Sequence, residues 1–238
     1  GISKFLPSYL GRALQLELEM LAKINSNLSK PVMAMIGGSK ISTKINLLKN
    51  LLYKSDYLVI GGAMANTFLL AKGFNIGSSL VEQDNVDIAD SILREAELSN
   101  CKIILPSDVM VAKSLESGEG IENIALENIK VKQSIFDIGE KTIENISNTM
   151  VICKTLFWNG PLGVYEIKPF DNSTNVIGRT AAILTKSKNL TSVVGGGDTV
   201  AALNNAELTG GFSYVSIAGG ALIEWLEGKK LPGLEFLE

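Results

Sequence analysis

The stretch Val194-Gly195-Gly196-Gly197-Asp198-Thr199 closes a short apolar run with three glycines and then offers a helix start. The same order recurs at Ile36-Gly37-Gly38-Ser39-Lys40, Ile60-Gly61-Gly62-Ala63 and Ala218-Gly219-Gly220-Ala221, and a fifth apolar run ends in Trp158-Asn159-Gly160-Pro161. Short continuous apolar runs are how strands read when helices cover both faces of a parallel sheet. In such a sheet these turns share the carboxyl edge, where α/β proteins bind ligands. Glycine lets backbone approach a ligand closely. The helix N-termini that follow present free N–H groups and partial positive charge, which suits phosphate. One glycine pair after a strand is an ordinary tight turn; four on one edge point to an anion site.

Working outward, the predicted strands are Val32–Ile36, Tyr57–Ile60, Lys102–Leu105, Ser134–Asp137, Lys154–Trp158, Thr191–Val194 and Tyr214–Ile217. Helical periodicity fills 41–54, 64–72, 84–98, 141–150, 173–187, 199–206 and 221–227. The polar, weakly periodic segment from Lys113 to Gln133 reads as a loop or a small hairpin excursion. Ahead of the first strand, residues 8–26 read as a helix capped by Ser8, with Leu10, Leu14, Leu18 and Leu21 on one face. The expected architecture is a three-layer, Rossmann-like α/β domain with a mainly parallel sheet and helices on both faces. No heptad or solenoid repeat is present.

The 238 residues are 46% hydrophobic and 20% charged, enough for one large α/β domain or for one domain plus a short appendage. A net charge of -3 and a pI near 5.3 argue against a nucleic-acid footprint, which needs a basic face. No apolar run reaches the roughly 18 residues of a membrane span. The start, Gly1-Ile2-Ser3-Lys4, is neither an initiator Met nor a signal peptide and reads as a cut or processing boundary. Cys101 and Cys153 fit no metal spacing and read as buried thiols in a reducing cytoplasm. With no histidine, Ser-His, Cys-His and His-ligated zinc chemistry is removed. Chemistry is left to lysines, carboxylates, backbone amides and a metal brought by the ligand.

Lys40 and Lys44 stand four apart at a predicted helix start and so share one face, where positive charge is locally unfavourable unless an anion arrives. They are phosphate ligands or two solvated surface lysines. Asp198 is a plain N-cap or a carboxylate placed to hold Mg²⁺ among phosphate-binding amides. Glu166 is a ribose-hydroxyl acceptor or a solvated loop charge. No G-x-x-x-x-G-K-[ST] or G-x-G-x-x-G occurs, and the protein-kinase catalytic loop is missing.

These residues together resemble the phosphoglycerate kinases. Ile36-Gly37-Gly38-Ser39-Lys40 with Lys44 is similar to that family's GG[AS]K-x-x-x-K segment, and Gly61-Gly62-Ala63-Met64-Ala65-Asn66-Thr67-Phe68 to its GG-x-M-A-x-T-F segment. Asp137-Ile138-Gly139, the run Trp158 to Glu166, Gly195-Gly196-Gly197-Asp198-Thr199 and the run Leu226 to Gly233 follow in the family's order. The resemblance extends from about Leu6 to Glu238. It implies that Lys40 and Lys44 contact nucleotide phosphates, Lys40 nearest the phosphoryl in flight, with Gly38 and Ser39 beside them. Gly62, Ala63, Leu80 and Phe136 would wall the adenine; Asn159, Pro161 and Val164 would line the cleft. Glu166 would hold the ribose, and Gly196, Gly197, Asp198 and Thr199 the phosphates and Mg²⁺. Lys40, Gly197 and Gly220 would lie nearest the transferred group.

The resemblance further implies an interdomain helix and hinge in residues 1–30, a nucleotide-binding domain in 31–238, and ADP or ATP as ligand. The expected protein is a cytoplasmic monomer with no nucleic-acid or membrane partner. The family's phosphoglycerate site is built from clustered arginines and a histidine. Here only Arg12, Arg94 and Arg179 occur, well separated, so 3-phosphoglycerate or 1,3-bisphosphoglycerate is expected to bind only with an amino-terminal domain that these residues do not include. The run Ser216-Ile217-Ala218-Gly219-Gly220-Ala221 departs from the family's Ser-Thr-Gly-Gly-Gly-Ala, and Ala63 and Glu140 depart from its commonest residues. Two rival readings stay open: another α/β enzyme of nucleotides or sugar phosphates, and a non-catalytic nucleotide-binding module.

Overall fold

A computed structural model describes residues 5, 6, 9, 11–26, 28–219, 221, 222, 224 and 229. Six parallel strands form the main sheet: β1 (Val32–Ile36), β2 (Tyr57–Ile60), β3 (Lys102–Ile104), β7 (Thr155–Asn159), β8 (Thr191–Gly195) and β9 (Tyr214–Val215), in the order β3-β2-β1-β7-β8-β9. Central β1 is buried along its whole length, which explains its unbroken apolar run. Its side chains alternate between two cores. Val32, Ala34 and Ile36 join a cluster with residues of α2 (Ile45–Lys54), α3 (Met64–Ala71) and α4 (Val86–Ser99). Met33 and Met35 face the opposite cluster, built on α5 (Glu140–Ile152), α6 (Asn172–Lys186) and α7 (Gly197–Asn205). The three-layer α/β architecture follows from that alternation.

Ser134–Asp137, read in sequence as one more strand of the series, belongs elsewhere. It is part of β6 (Ser134–Ile138), which pairs antiparallel with β4 (Asp108–Ala112); β4 pairs antiparallel with β5 (Glu122–Ala125). No α-helix separates β3 from β6, only a single 3-10 turn at Leu126–Asn128, so the chain lacks the crossover a parallel placement needs and doubles back instead. The expected excursion at 113–133 is real, but β4 ahead of it escaped the reading because Pro106 and Asp108 look like turn residues. Asp108 is a cap: its carboxylate accepts from Thr142 N at 2.8 Å and Lys141 N at 3.0 Å, the first turn of α5. Burial opposes its charge, yet bonds from Thr142, Lys141 and Asn123 hold its pKa below the usual range.

The leading helix, α1, runs over Arg12–Ser26; Ser8 and Leu10, named as its cap and first apolar contact, lie outside the described residues. Leu18 packs against the first core, whereas Leu14 is 40% exposed. Buried Glu17 ties α1 to β9, accepting from the Tyr214 hydroxyl and from Ser216 Oγ at 2.5 Å. Most of the predicted helix 221–227 lies outside the described residues.

Candidate functional site

Strands β1 and β7 are neighbours, but the chain proceeds from β1 outward through β2 and β3, and from β7 outward through β8 and β9. That reversal marks the crevice where open α/β sheets take ligands. The turns after β1, β2 and β7 lie on this edge and pack on one another. Gly37 N donates to Asn159 O at 2.9 Å, Gly61 N to Ile36 O at 2.9 Å and Gly62 N to Leu162 O at 2.8 Å. A Cβ on Gly37 would stand 1.9 Å from Pro161 O, and one on Gly160 would stand 2.2 Å from Gly37 O. Gly62, at φ +66, presses on Gly38 in the same way. Part of the glycine pattern therefore serves contact between turns. Gly197 is different: nothing lies within 4 Å of where its Cβ would stand.

A cavity of about 610 Å³ opens beside these turns. Gly38, Ser39, Gly62, Ala63, Pro161 and Asp198 line it from the sheet edge, and Leu80, Phe136 and Val164 supply an apolar wall, with Glu166 also in the lining. Leu80 is 64% exposed. Phe136 is steadied by Phe170, ring centroids 5.1 Å apart. Lys40, Lys44, Asn159, Gly196, Gly197 and Thr199 do not line it; Gly220 lies outside the described residues.

Lys40 and Lys44 do not share a helix face. Helix α2 begins at Ile45, and residues 41–44 form a turn in which Lys44 N donates to Ile41 O at 2.8 Å. Lys40 stays exposed ahead of that turn. Lys44 folds back beneath the first glycine turn, donating to Gly37 O at 2.7 Å and Asn159 Oδ1 at 2.8 Å. Burial lowers its pKa to about 8, against the attraction of Asp198, which raises it. Asn159 also donates through Nδ2 to Gly195 O at 2.9 Å, so one buried amide joins β7, β8 and Lys44.

Thr199 was expected beside Asp198 on the phosphates, but its buried hydroxyl is occupied. It donates to Gly195 O at 3.0 Å and accepts from Gly160 N at 2.6 Å. Asp198 sits in the first turn of α7, which begins at Gly197 with Gly196 as N-cap, so Asp198 is not the cap. It is exposed and lines the cavity. Among the described residues no cluster of three acidic, cysteine or histidine side chains could hold a metal. A lone carboxylate still suits Mg²⁺ that arrives on phosphate oxygens and keeps its waters.

Several lining residues were not nominated from the sequence, Tyr165 and Asp137 among them. Tyr165 lies inside the quoted Trp158–Glu166 run, but the resemblance attached no role to it. Buried Asp137 stands beneath the wall. Burial raises its carboxyl to about 7, against bonds from Ser173 and from the N–H of Ile138, and Ser173 N at 3.0 Å fixes it to the start of α6.

An all-parallel six-stranded sheet with helices on both faces and a cavity at its switch point defines a ligand-binding α/β domain of the doubly wound class. The family model described as phosphoglycerate kinase matches residues 1–229. The chain belongs to the phosphoglycerate kinase family. It is 50% identical over 238 residues to the phosphoglycerate kinase of Mesorhizobium japonicum and 48% identical over 238 residues to that of Zymomonas mobilis subsp. mobilis. Each alignment covers 100% of this chain and 60% of the relative, so the chain spans less than two thirds of their length. Among solved structures, phosphoglycerate kinase from Coxiella burnetii superposes with a TM-score of 0.90 at 42% identity, covering 95% of this chain and 57% of the other. That from Pyrococcus horikoshii OT3 gives 0.85 at 27% identity, covering 99% of this chain and 58% of the other.

Proposed function

We propose that this chain is the nucleotide-binding part of a phosphoglycerate kinase. The whole enzyme would transfer a phosphoryl group reversibly between 1,3-bisphosphoglycerate and ADP, giving 3-phosphoglycerate and ATP. The observation that carries this reading is the continuity of one cavity from an apolar wall at Leu80 and Phe136 to the glycine edge at Gly38 and Asp198. Adenine would lie against Gly62, Ala63, Leu80 and Phe136, ribose near Glu166, and the phosphates over Gly38, Ser39 and the N-terminus of α7. Free N–H groups and the helix dipole favour anions there. Residues 31–238 would form this domain, and α1 within residues 1–30 the link to the substrate domain. A reducing cytoplasm fits the two free, buried cysteines.

Phosphoryl transfer of this kind needs positioning and charge neutralisation more than a base, which suits a site without histidine. Exposed Lys40 would neutralise the phosphoryl in flight. Lys44 would support the glycine turn from below and bring its charge toward the phosphates. Mg²⁺ held by Asp198 and phosphate oxygens would supply further charge neutralisation.

Asp198→Ala should weaken binding of Mg-ADP more than binding of metal-free ADP. Calorimetric titration with and without Mg²⁺ checks this; equal losses in both would remove Asp198 from the metal site. Lys44 adds a pH dependence. In the free protein its proton leaves near pH 8, and a bound anion holds that proton on. ADP should therefore take up protons on binding at pH 8.5, and its affinity should fall as pH rises above 8. The sign for folding is opposite: the cost of burying the charge is present in full below pH 8 and relieved as pH rises from 8 toward 10.5. Titration at pH 8.5 in two buffers of different ionisation enthalpy reads the proton uptake; its absence would place Lys44 away from the phosphates.

A further inference from the structure

The turn that carries Lys40 is gripped by a residue forty positions further along the chain. Glu82 accepts from both donors of Ser42, the hydroxyl at 2.6 Å on Oε1 and the backbone N–H at 3.0 Å on Oε2. Thr43 Oγ1 closes the same turn by donating to Lys40 O at 3.0 Å. Glu82 is itself anchored, since its N–H donates to Thr67 Oγ1 on α3 at 3.3 Å. Two residues earlier on the same strap, Leu80 O accepts from Asn66 Nδ2 of α3 at 2.9 Å, and Leu80 forms part of the apolar cavity wall. One short strap thus carries a wall of the base pocket and the grip on the lysine turn.

We propose that Glu82 is a positioning residue: through Ser42 it holds the 40–44 turn so that Lys40 meets the nucleotide phosphates. The inference rests on the nucleotide reading above. A flexible lysine on a loose turn loses more conformational freedom on meeting an anion than one whose turn is already fixed. Burial works against the Glu82 charge, but bonds from Ser42 and Ile41 and the nearby charge of Lys40 keep the carboxylate ionised. A charged acceptor makes the two Ser42 bonds stronger than neutral ones. Glu82 also lies close enough to Lys40 to attract it directly, so the opposite role, holding Lys40 away from phosphate, makes the opposite prediction.

The test compares adenosine with Mg-ADP on the 238-residue chain, in the wild type, Glu82→Gln, Ser42→Ala, Lys40→Ala and the Lys40→Ala/Glu82→Gln pair, each shown folded by a thermal melt. Glu82→Gln should lower the ratio of ADP affinity to adenosine affinity about tenfold, with adenosine binding unchanged. Ser42→Ala, which keeps the backbone bond, should lower it less. In the Lys40→Ala background the Glu82→Gln change should have no further effect, because a residue that acts through Lys40 has nothing left to position. An unchanged or increased ratio overturns the proposal, as does equal loss for adenosine and ADP or an effect that survives in Lys40→Ala. A wild-type chain that is folded but binds neither ligand overturns the nucleotide reading itself, a distinct result.

Discussion

On its own this chain is expected to hold nucleotide but not to convert 3-phosphoglycerate or 1,3-bisphosphoglycerate at a useful rate. Aligning the second reactant is worth on the order of 7–11 kcal/mol of barrier. A ligand carrying phosphate and carboxylate needs clustered cations, and the arginines here are dispersed. Arg12 is on α1, Arg94 on α4 in an ion pair with Asp90, and Arg179 on α6. Joining the segment that the relatives carry beyond the length matched here, ahead of Leu6, should restore transfer. Lys40→Ala in that joined protein should then lower kcat more than it weakens ADP binding, because its charge is matched to the moving phosphoryl. A coupled assay on the isolated chain, the joined protein and its Lys40→Ala form reads all three. Full turnover by the isolated chain, free of contaminating kinase, would refute this division of labour.

Gly37→Ala should be the most damaging single methyl in the sheet edge. The added carbon would stand 1.9 Å from Pro161 O and 2.8 Å from Gly160 O, both backbone atoms that no rotamer change can move. The turns after β1 and β7 would have to separate, breaking the bond from Gly37 N to Asn159 O and disturbing Lys44, which donates to Gly37 O. A loss of at least about 3 kcal/mol is expected, read as a drop of roughly 6–12 °C in Tm. Gly197→Ala is the contrast. Its Cβ meets open space at the first position of α7, so stability should hold or rise by about 0.4–1 kcal/mol, while ADP binding weakens as the methyl enters the space proposed for phosphate. Urea melts and ADP titrations on both variants separate the two kinds of glycine. Equal stability losses would mean that the packing of the turns is not the difference between them.

That contrast also shows where the sequence stops being legible. Adjacent glycines after apolar runs marked the sheet edge, and β1, β2, β7 and β8 lie within a residue of their predicted positions because buried parallel strands leave unbroken apolar runs. The reason for each glycine was not legible, since Gly37 and Gly62 face other turns that are far off in the chain. Spacing alone put Lys40 and Lys44 on one helix face, but Glu82 holds Ser42 in a turn that delays α2 to Ile45. The resemblance put Thr199 beside Asp198 on the phosphates and metal, yet only Asp198 lines the cavity; the Thr199 hydroxyl closes a bridge between Gly160 and Gly195. These misses at the site rest on long-range contacts that no local pattern encodes.

One site on this chain is proposed to take an adenine nucleotide, with its base against Leu80 and Phe136 and its phosphates over the glycine edge. Calorimetric titration of the folded 238-residue chain with Mg-ADP tests it most directly. Saturable one-to-one binding is expected, with thermal stabilisation of roughly 2.7 kcal/mol at ligand near 100 times Kd. No binding heat and no shift in melting, in a sample shown to be folded, would contradict it.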